Sequence, residues 1–87
     1  MTRSLTIIYF AWVRERLGIE QERIALGEGV ETIDDVLAML MDRDPAYAEI
    51  FSDVGKLRFA LDQDYGLPSS AIGSAGELAI FPPVTGG

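Results

Sequence analysis

The sequence predicts an α+β fold in which one principal helix packs across a β-sheet and an extended C-terminal tail follows the last strand. Three observations predict it. Runs rich in β-branched and aromatic residues occur towards both ends of the 87-residue chain, a single long amphipathic helical pattern lies between them, and the chain closes with a Pro pair and a Gly pair. The length fits one domain with a small core.

The first part of the chain predicts two strands separated by a short helical turn. Leu5–Phe10 (LTIIYF) is apolar on both alternating faces, as expected for a strand inside a sheet. Trp12–Leu17 predicts a helical turn that ends at Gly18, a residue that readily caps helices. Gln21–Leu26 (QERIAL) predicts the second strand, because its apolar residues Ile24 and Leu26 lie two apart.

The strongest helical signal covers Thr32–Asp44. Thr32 is a good N-cap, and Asp35 three residues later completes a capping-box pattern. Pro45 disfavours helical geometry at the preceding residue, so the helix should stop there, and Ala46–Phe51 can form another short turn. The apolar positions follow helical spacing and form one stripe: Ile33, Val36, Leu37, Leu40 and Met41.

The second part of the chain predicts two further strands, Leu57–Leu61 and Leu78–Phe81. In the first of them Leu57, Phe59 and Leu61 should face inward, mainly as core residues. Residues 62–77 hold several glycines and a proline and predict mainly turns, with inward contacts from Tyr65, Leu67 and Ile72. The resulting order is compatible with a β-grasp domain and with other small α+β folds.

Composition narrows the possible functions. The chain contains neither Cys nor His, which excludes disulfides, Cys-ligated metals and the commonest general base. We therefore expect no metal site, no bound cofactor and no enzymatic activity by this chain alone.

The charge of the chain indicates which partners it can bind, and its hydropathy indicates where in the cell it acts. The net charge is −7, and ten of the 14 acidic residues lie between Glu20 and Asp53, where only Arg23 and Arg43 are basic. Nucleic acid and anionic membranes are therefore poor partners. The apolar run Leu5–Val13 is too short to span a bilayer and lacks a cleavage pattern, so we expect a cytoplasmic protein.

The ending AIFPPVTGG suggests a functional tail, residues 82–87, after a domain of residues 1–81. Pro82 and Pro83 restrict the backbone to extended geometry. Val84 and Thr85 favour extended conformations and keep their amides available to a partner's backbone, while Gly86 and Gly87 give the narrowest cross-section. Six residue steps from Phe81 to Gly87 span roughly 20 Å, enough to enter a deep pocket on another protein.

The functional group that such a tail delivers is the carboxylate of Gly87. A carboxylate is a weak electrophile, so a partner must first activate it, most simply as an acyl adenylate made with ATP. A sulfur donor would then give a thiocarboxylate, and an amine would give an amide. An incidental flexible end is the alternative, although the adjoining Pro pair and strand argue against it.

Three segments resemble the small, sulfur-carrying subunit of molybdopterin synthase, a family of the ubiquitin-like β-grasp group with a mixed sheet. They are the ending AIFPPVTGG, the opening IIYFAWVRERLG and the central ETIDDVLAML, and the resemblance extends from Leu5 to Gly87. Members often carry Asn where this chain has Asp62, and an Asp-Gly-Asp turn where it has residues 74–77.

The resemblance implies a cycle. An E1-like enzyme adenylates Gly87, a sulfur donor protein converts it to a thiocarboxylate, and the tail inserts into the large subunit. Sulfur then passes to cyclic pyranopterin monophosphate to build the dithiolene of molybdopterin in molybdenum cofactor biosynthesis. The family further implies catalytic side chains on the large subunit and a heterotetramer of two large and two small subunits. Phe81 lies where the sheet ends and the tail leaves, so we expect it to have an interface role.

Other functions remain open at this point. Carriers for thiamine thiazole synthesis resemble the chain in fold and Gly-Gly end but generally lack the Phe-Pro-Pro approach. A ubiquitin-like modifier would use the same activated Gly87 against an amine, and a pure binding module would not need Gly86 or Gly87. Lys56 and Arg58 could pair with a partner's acids, although solvated surface charge is the simpler interpretation.

Overall fold

The computed structural model describes residues 3–52 and 54–83, without the side chain of Val54. Three α-helices and five strands are present in this part of the chain, with a 3₁₀ turn at Val54–Lys56. In chain order the elements are β1 (Arg3–Tyr9), α1 (Ala11–Leu17), β2 (Gln21–Leu26), α2 (Ile33–Arg43), α3 (Pro45–Phe51), β3 (Arg58–Leu61), β4 (Asp64–Gly66) and β5 (Glu77–Phe81).

The strands form one sheet in the order β2-β1-β5-β3-β4. The central pair, β1 and β5, is parallel, and the remaining neighbours are antiparallel. The predicted α+β architecture, a mixed sheet crossed by one principal helix, is therefore confirmed. The last strand lies in the middle of the sheet, hydrogen-bonded on both edges, so the root of the tail is held by the most enclosed part of the sheet.

The principal helix α2 begins as the capping-box pattern predicts. The Asp35 amide donates to Thr32 Oγ1 at 3.2 Å, and the Asp35 carboxylate accepts from the amides of Glu31 at 2.9 Å and Thr32 at 3.1 Å. These backbone donors hold the pKa of Asp35 below its usual value. Asp44 ends α2 and caps α3, since its carboxylate accepts from the Ala46 amide at 2.9 Å.

The core lies between the helices and one face of the sheet. Alternate residues of β1 and β5 point into it, and Leu57 and Phe59 are buried, as predicted, while Leu61 packs at its edge. The α2 stripe supplies the opposing layer, with Met41 only partly buried. Core members from these elements include Leu5, Ile7, Ile33, Val36, Leu37, Leu40, Leu78 and Ile80. No helix in the described part of the chain is both long and apolar enough to cross a membrane.

The prediction for residues 62–77 missed one short strand, β4 (Asp64–Gly66); residues 67–76 are turns and irregular backbone, as predicted. β3 and β4 are joined by a two-residue loop, Asp62 and Gln63, with φ of 48° and 75°. Positive φ at both positions is typical of a type I′ hairpin, which usually carries glycine or asparagine. Asp62 Oδ1 holds this loop by accepting from the amides of Gly76 at 3.1 Å and Glu77 at 3.0 Å.

The hairpin also changes where two predicted core residues lie. Tyr65 is 81% exposed and Leu67 is 69% exposed, so their predicted inward contacts are wrong. Tyr65 lies opposite Ala60 of β3, on the face of the sheet that the helices do not cover. Ile72, the third residue of that prediction, is buried in the core.

A hydrogen-bond network fixes α3 against the sheet. The hydroxyls of Tyr9 on β1 and Tyr47 on α3 both donate to Glu22 Oε2 on β2, each at 2.6 Å. Burial and the neighbouring Glu22 carboxylate raise the pKa of Tyr47 to about 12 and raise that of Tyr9 further. Both hydroxyls therefore stay protonated at neutral pH and act as donors to a carboxylate.

Candidate functional site at the exit of the tail

The predicted tail leaves from the end of β5. Phe81 is the last residue of this central strand, and Pro82 and Pro83 follow it in neither helix nor strand, each partly buried. Val84, Thr85, Gly86 and Gly87 lie outside the described residues, so their roles stay predictions. The division at residue 81 also stays a prediction.

Phe81 belongs to an exposed aromatic cluster, which we define as Phe10, Tyr65 and Phe81. The Phe10 and Phe81 rings meet edge to face, with centroids 6.4 Å apart, and the Tyr65 ring lies 6.1 Å from that of Phe81. Phe10 is 44% exposed, and Phe81 is partly buried. The cluster brings β1, β4 and β5 together at the tail exit, on the face of the sheet opposite the helices.

Backbone pairing sets the geometry of the aromatic cluster. Phe10 directly follows β1, and its amide donates to the Ile80 carbonyl at 3.1 Å, which holds it beside the end of β5. Ala11 then turns the chain into α1 with φ of 54°, a left-handed conformation that costs free energy in a non-glycine residue. Strain of this kind is found where the surrounding structure fixes a local geometry.

Sequence reasoning identified Phe81 but gave no site role to Phe10 or Tyr65. For Phe10 a signal existed: alternation along β1 places it on the opposite face from Tyr9, away from the core. For Tyr65 the signal was obscured, because a hairpin loop of Asp and Gln lacks the glycine that usually marks such turns. Solvent-exposed aromatic residues that touch one another are typical of interaction surfaces.

A second feature adjoins the tail on the helix side: a groove between α1 and α3, which we call the α1–α3 groove. Its larger part, about 500 Å³, is lined by Trp12, Arg16, Glu49, Ile50, Ser52, Lys56 and Pro83. A neighbouring part of about 380 Å³ shares Arg16, Glu49 and Ile50 and extends to Ala46. The guanidinium carbon of Arg16 lies 5.2 Å from the centroid of the Trp12 ring, a cation–π arrangement.

The basic residues near the tail exit contrast with the acidity of the chain. Arg16 and Lys56 line the α1–α3 groove, and Arg58 pairs in register with Phe81. The Arg58 guanidinium donates to the carbonyls of Leu57 at 2.9 Å and Gly55 at 3.3 Å. Arg14 faces Glu20 at 3.9 Å across exposed surface, where an ion pair contributes little stability.

Within residues 3–52 and 54–83 no group of three or more acidic side chains is arranged to hold a metal ion. The residues at the tail exit offer aromatic and charged side chains for recognition.

Comparison with known proteins now places the chain in a family. The ThiS family model matches residues 7–87. The chain belongs to the ThiS family. Two relatives carry the name molybdopterin synthase sulfur carrier subunit: the one from Chlamydomonas reinhardtii is 34% identical over 86 residues, which is 97% of this chain and 99% of the relative. The one from Haemophilus influenzae is 34% identical over 83 residues, 95% and 99% of the two chains. The predicted resemblance is confirmed.

The structural comparison confirms the β-grasp prediction. The crystal structure of SAMP1 from Haloferax volcanii superposes with a TM-score of 0.73 at 29% identity, covering 97% of this chain and 99% of that one. SAMP1 is a small archaeal modifier protein. This ThiS-family protein therefore has the ubiquitin-like fold that the sequence predicts.

Proposed function

We propose that this ThiS-family protein is the sulfur-carrying small subunit of molybdopterin synthase and that Gly87 carries the sulfur as a thiocarboxylate. The observation that carries the proposal is the 34% identity, over nearly the whole of both chains, to two subunits of that name. In this proposal the chain acts in the cytoplasm, pairs with a large subunit in a heterotetramer and donates sulfur to cyclic pyranopterin monophosphate.

The tail exit supports this function. β5 is hydrogen-bonded to β1 and β3, so the tail root is fixed. Pro82 and Pro83 then direct the chain away from the sheet. Beyond Pro83, Val84, Thr85, Gly86 and Gly87 span at most about 14 Å, so a protein that encloses Gly87 must also come close to the aromatic cluster. Phe81, with Phe10 and Tyr65 beside it, provides the partner interface.

The proposed chemistry uses the Gly87 carboxylate and no side chain of this chain. A carboxylate oxygen attacks the α-phosphorus of ATP in the E1-like enzyme and pyrophosphate leaves. A sulfide supplied by the sulfur donor protein attacks the acyl carbon, AMP leaves and the thiocarboxylate forms directly; if the donor is a persulfide, an acyl disulfide forms first, and a donor thiol then cleaves its S–S bond, releasing the thiocarboxylate and leaving a disulfide on the donor. The thiocarboxylate sulfur then attacks an oxygen-bearing carbon of the pterin precursor, where the C–O bond breaks and the oxygen leaves, and water hydrolyses the resulting thioester, which leaves the sulfur on the pterin and restores the Gly87 carboxylate. The chain has no His and no Cys, in keeping with catalytic side chains on the large subunit.

Intact-mass measurement tests the proposal. The full chain is incubated with the adenylating enzyme, ATP and a sulfur donor, and we expect a mass gain equal to the exchange of one oxygen for one sulfur. A chain lacking Gly87 is the control and should gain nothing. If the wild-type chain gains no mass under conditions that charge the Haemophilus influenzae subunit, the proposal is wrong. Complementation of strains deficient in molybdenum cofactor or thiamine thiazole synthesis separates the two carrier functions.

A ubiquitin-like modifier is a second candidate, favoured by the similarity to SAMP1. In that function a lysine amine attacks the activated Gly87 carbonyl, AMP leaves and an isopeptide bond forms. Trypsin is a poor reagent for finding such bonds, because the last basic residue is Arg58 and the remnant would be residues 59–87. Cleavage after Glu77 leaves residues 78–87 on the modified lysine, a tractable mass tag. Recovery of only free or thiocarboxylated chains from the native cell would exclude this function.

A further inference from the structure

The α1–α3 groove begins where the tail begins. Pro83 lines the groove and is also the last described residue before Val84, Thr85, Gly86 and Gly87. A protein pocket that takes these residues up to Gly87 has its rim at Pro83, because the intervening chain cannot exceed about 14 Å. The rim of that pocket must then lie over the aromatic cluster, over the α1–α3 groove, or over both.

The charged side chains that line the groove indicate which kind of ligand it can bind. Arg16 on the α1 wall is exposed and its guanidinium lies over the Trp12 ring, so its N–H groups can donate two parallel hydrogen bonds to a carboxylate. Lys56 adds a second positive charge to the larger part of the groove, which Pro83 also lines. Glu49 on the α3 wall is negative and lines both parts of the groove, whereas Lys56 and Pro83 line only the larger part, so the larger part, where the tail begins, is the more favourable one for an anion.

The walls of the groove are held firmly enough to present a defined surface. Ile50 at its base is 5% exposed and belongs to the core. α3 is anchored to the sheet through Tyr47 and Glu22 at 2.6 Å. Surface side chains on anchored elements lose less conformational freedom when they bind, which favours recognition at this position.

We propose that the α1–α3 groove binds an acidic segment on the rim of the large-subunit pocket, with a carboxylate of that segment on Arg16. This inference rests on the proposed function, because it takes the large subunit as the protein that receives the tail. The groove thereby makes a polar contact on the helix side of the tail, complementary to the apolar contact of the aromatic cluster on the other face.

Binding of the full chain to the large subunit, measured by titration calorimetry, tests the inference. Arg16→Glu should weaken binding about tenfold and reduce its dependence on ionic strength between about 0.01 and 0.15 M. Arg16→Lys keeps the charge but loses the planar fork, so its affinity should lie between the two. Glu49→Gln removes the opposing carboxylate and should bind more tightly than the wild type. Arg23→Glu on β2 is the matched control, with the same charge change on an exposed edge strand, and should stay within about twofold of the wild type.

The outcomes separate this inference from the proposed function. If Arg16→Glu and Arg23→Glu lose the same affinity, net charge alone explains the effect and the groove inference is wrong. If the wild-type chain binds and Arg16→Glu binds equally well, the inference also fails while the proposed function stands. If the wild-type chain does not bind the large subunit, both fail. Urea unfolding of each variant shows that the fold is retained.

Discussion

The hydrogen bond from Tyr47 to Glu22 is the contact whose removal gives the clearest stability prediction. Tyr47→Phe removes one hydroxyl that donates to the carboxylate at 2.6 Å and keeps the ring, which stacks on Phe51 with centroids 6.0 Å apart. Hydrogen bonds to charged groups stabilise a fold by about 1.5–3 kcal/mol. Since Tyr47 is only partly buried, the low end applies, and we expect a loss of about 1.5 kcal/mol in the free energy of unfolding.

A double variant at Tyr9 and Tyr47 tests the same hydrogen-bond network more strictly. Tyr9 and Tyr47 donate to the same oxygen of Glu22, so each can partly compensate for loss of the other. Removal of both hydroxyls leaves the carboxylate without either donor. The double variant Tyr9→Phe/Tyr47→Phe should therefore lose more stability than the sum of the single variants, by about 0.5–1 kcal/mol.

The contribution of Tyr47 to the free energy of unfolding should depend on pH, and the direction follows from its raised pKa. The pKa of Tyr47 is raised to about 12 in the folded protein from an ordinary value of 10.0. The stabilisation is therefore fully present below pH 10.0 and is lost as the pH rises through about 12, because the unfolded chain releases this proton first. Tyr9 shifts in the same direction, so Tyr47→Phe should reduce the alkaline loss of stability and not abolish it.

Urea unfolding followed by circular dichroism measures the effect. With a slope of about 1 kcal/mol per molar urea for a chain of this size, a loss of about 1.5 kcal/mol moves the midpoint by roughly 1.5 M. Tyr65→Phe is the matched control, because Tyr65 is 81% exposed, and it should change stability by less than about 0.5 kcal/mol. Equal midpoints for Tyr47→Phe and Tyr65→Phe at neutral pH would refute the reasoning.

Three further predictions concern the helix cap, the hairpin and the interface. Thr32→Ala should lower the free energy of unfolding, measured in urea, by about 1 kcal/mol because the N-cap is lost. Asp35→Asn should reduce the loss of stability in acid. The pKa of Asp35 is lowered in the folded protein, so its stabilisation is present above pH 3.8 and is lost as the pH falls through the folded value. Asp62→Ala should lower the free energy of unfolding by about 1–2 kcal/mol, because two amides lose their acceptor. Asp62→Asn keeps an acceptor oxygen and tolerates positive φ, so it should unfold near the wild-type urea midpoint. Phe81→Ala should weaken calorimetrically measured binding to the large subunit by tenfold or more, on the order expected for a central aromatic residue, and an unchanged affinity would exclude Phe81 from the interface.

Elements governed by local chemistry were predictable from the sequence. The capping box fixed the start of α2, and Gly18 ends α1 with φ of 76°, as its position indicates. The patterns of apolar residues predicted strands β1, β2, β3 and β5 to within a few residues. β4 was not predictable in the same way, because its loop depends on long-range bonds from Asp62 to the amides of Gly76 and Glu77. The Asp62 side chain belongs to the loop, but the amides that donate to it lie 14 and 15 residues away in sequence.

At the candidate site, too, features set by local sequence could be predicted, whereas features set by long-range packing could not. A tail at the end of β5 could be predicted because Pro82 and Pro83 restrict the backbone by their own chemistry, and its function stays a proposal. The aromatic cluster and the α1–α3 groove were not recognisable, since each depends on which elements the sheet order places together. Glu22 illustrates the point: in sequence it is one acid among many in a charged segment, and only the packing of α3 brings Tyr47 to it.

The placement of the tail root in the sheet separates the stability of the fold from the choice of partner. β5 is bonded to β1 and β3, and its inward residues Leu78 and Ile80 are fully buried, so substitutions there would disturb the core. Phe10 and Tyr65 are exposed and contribute little burial to the core, and Arg16 likewise lies outside it. In the proposed function, changes at these exposed positions can therefore alter which protein receives the tail, while the strand that presents it stays fixed. A carrier requires this separation if one tail must be recognised first by an activating enzyme and then by an acceptor.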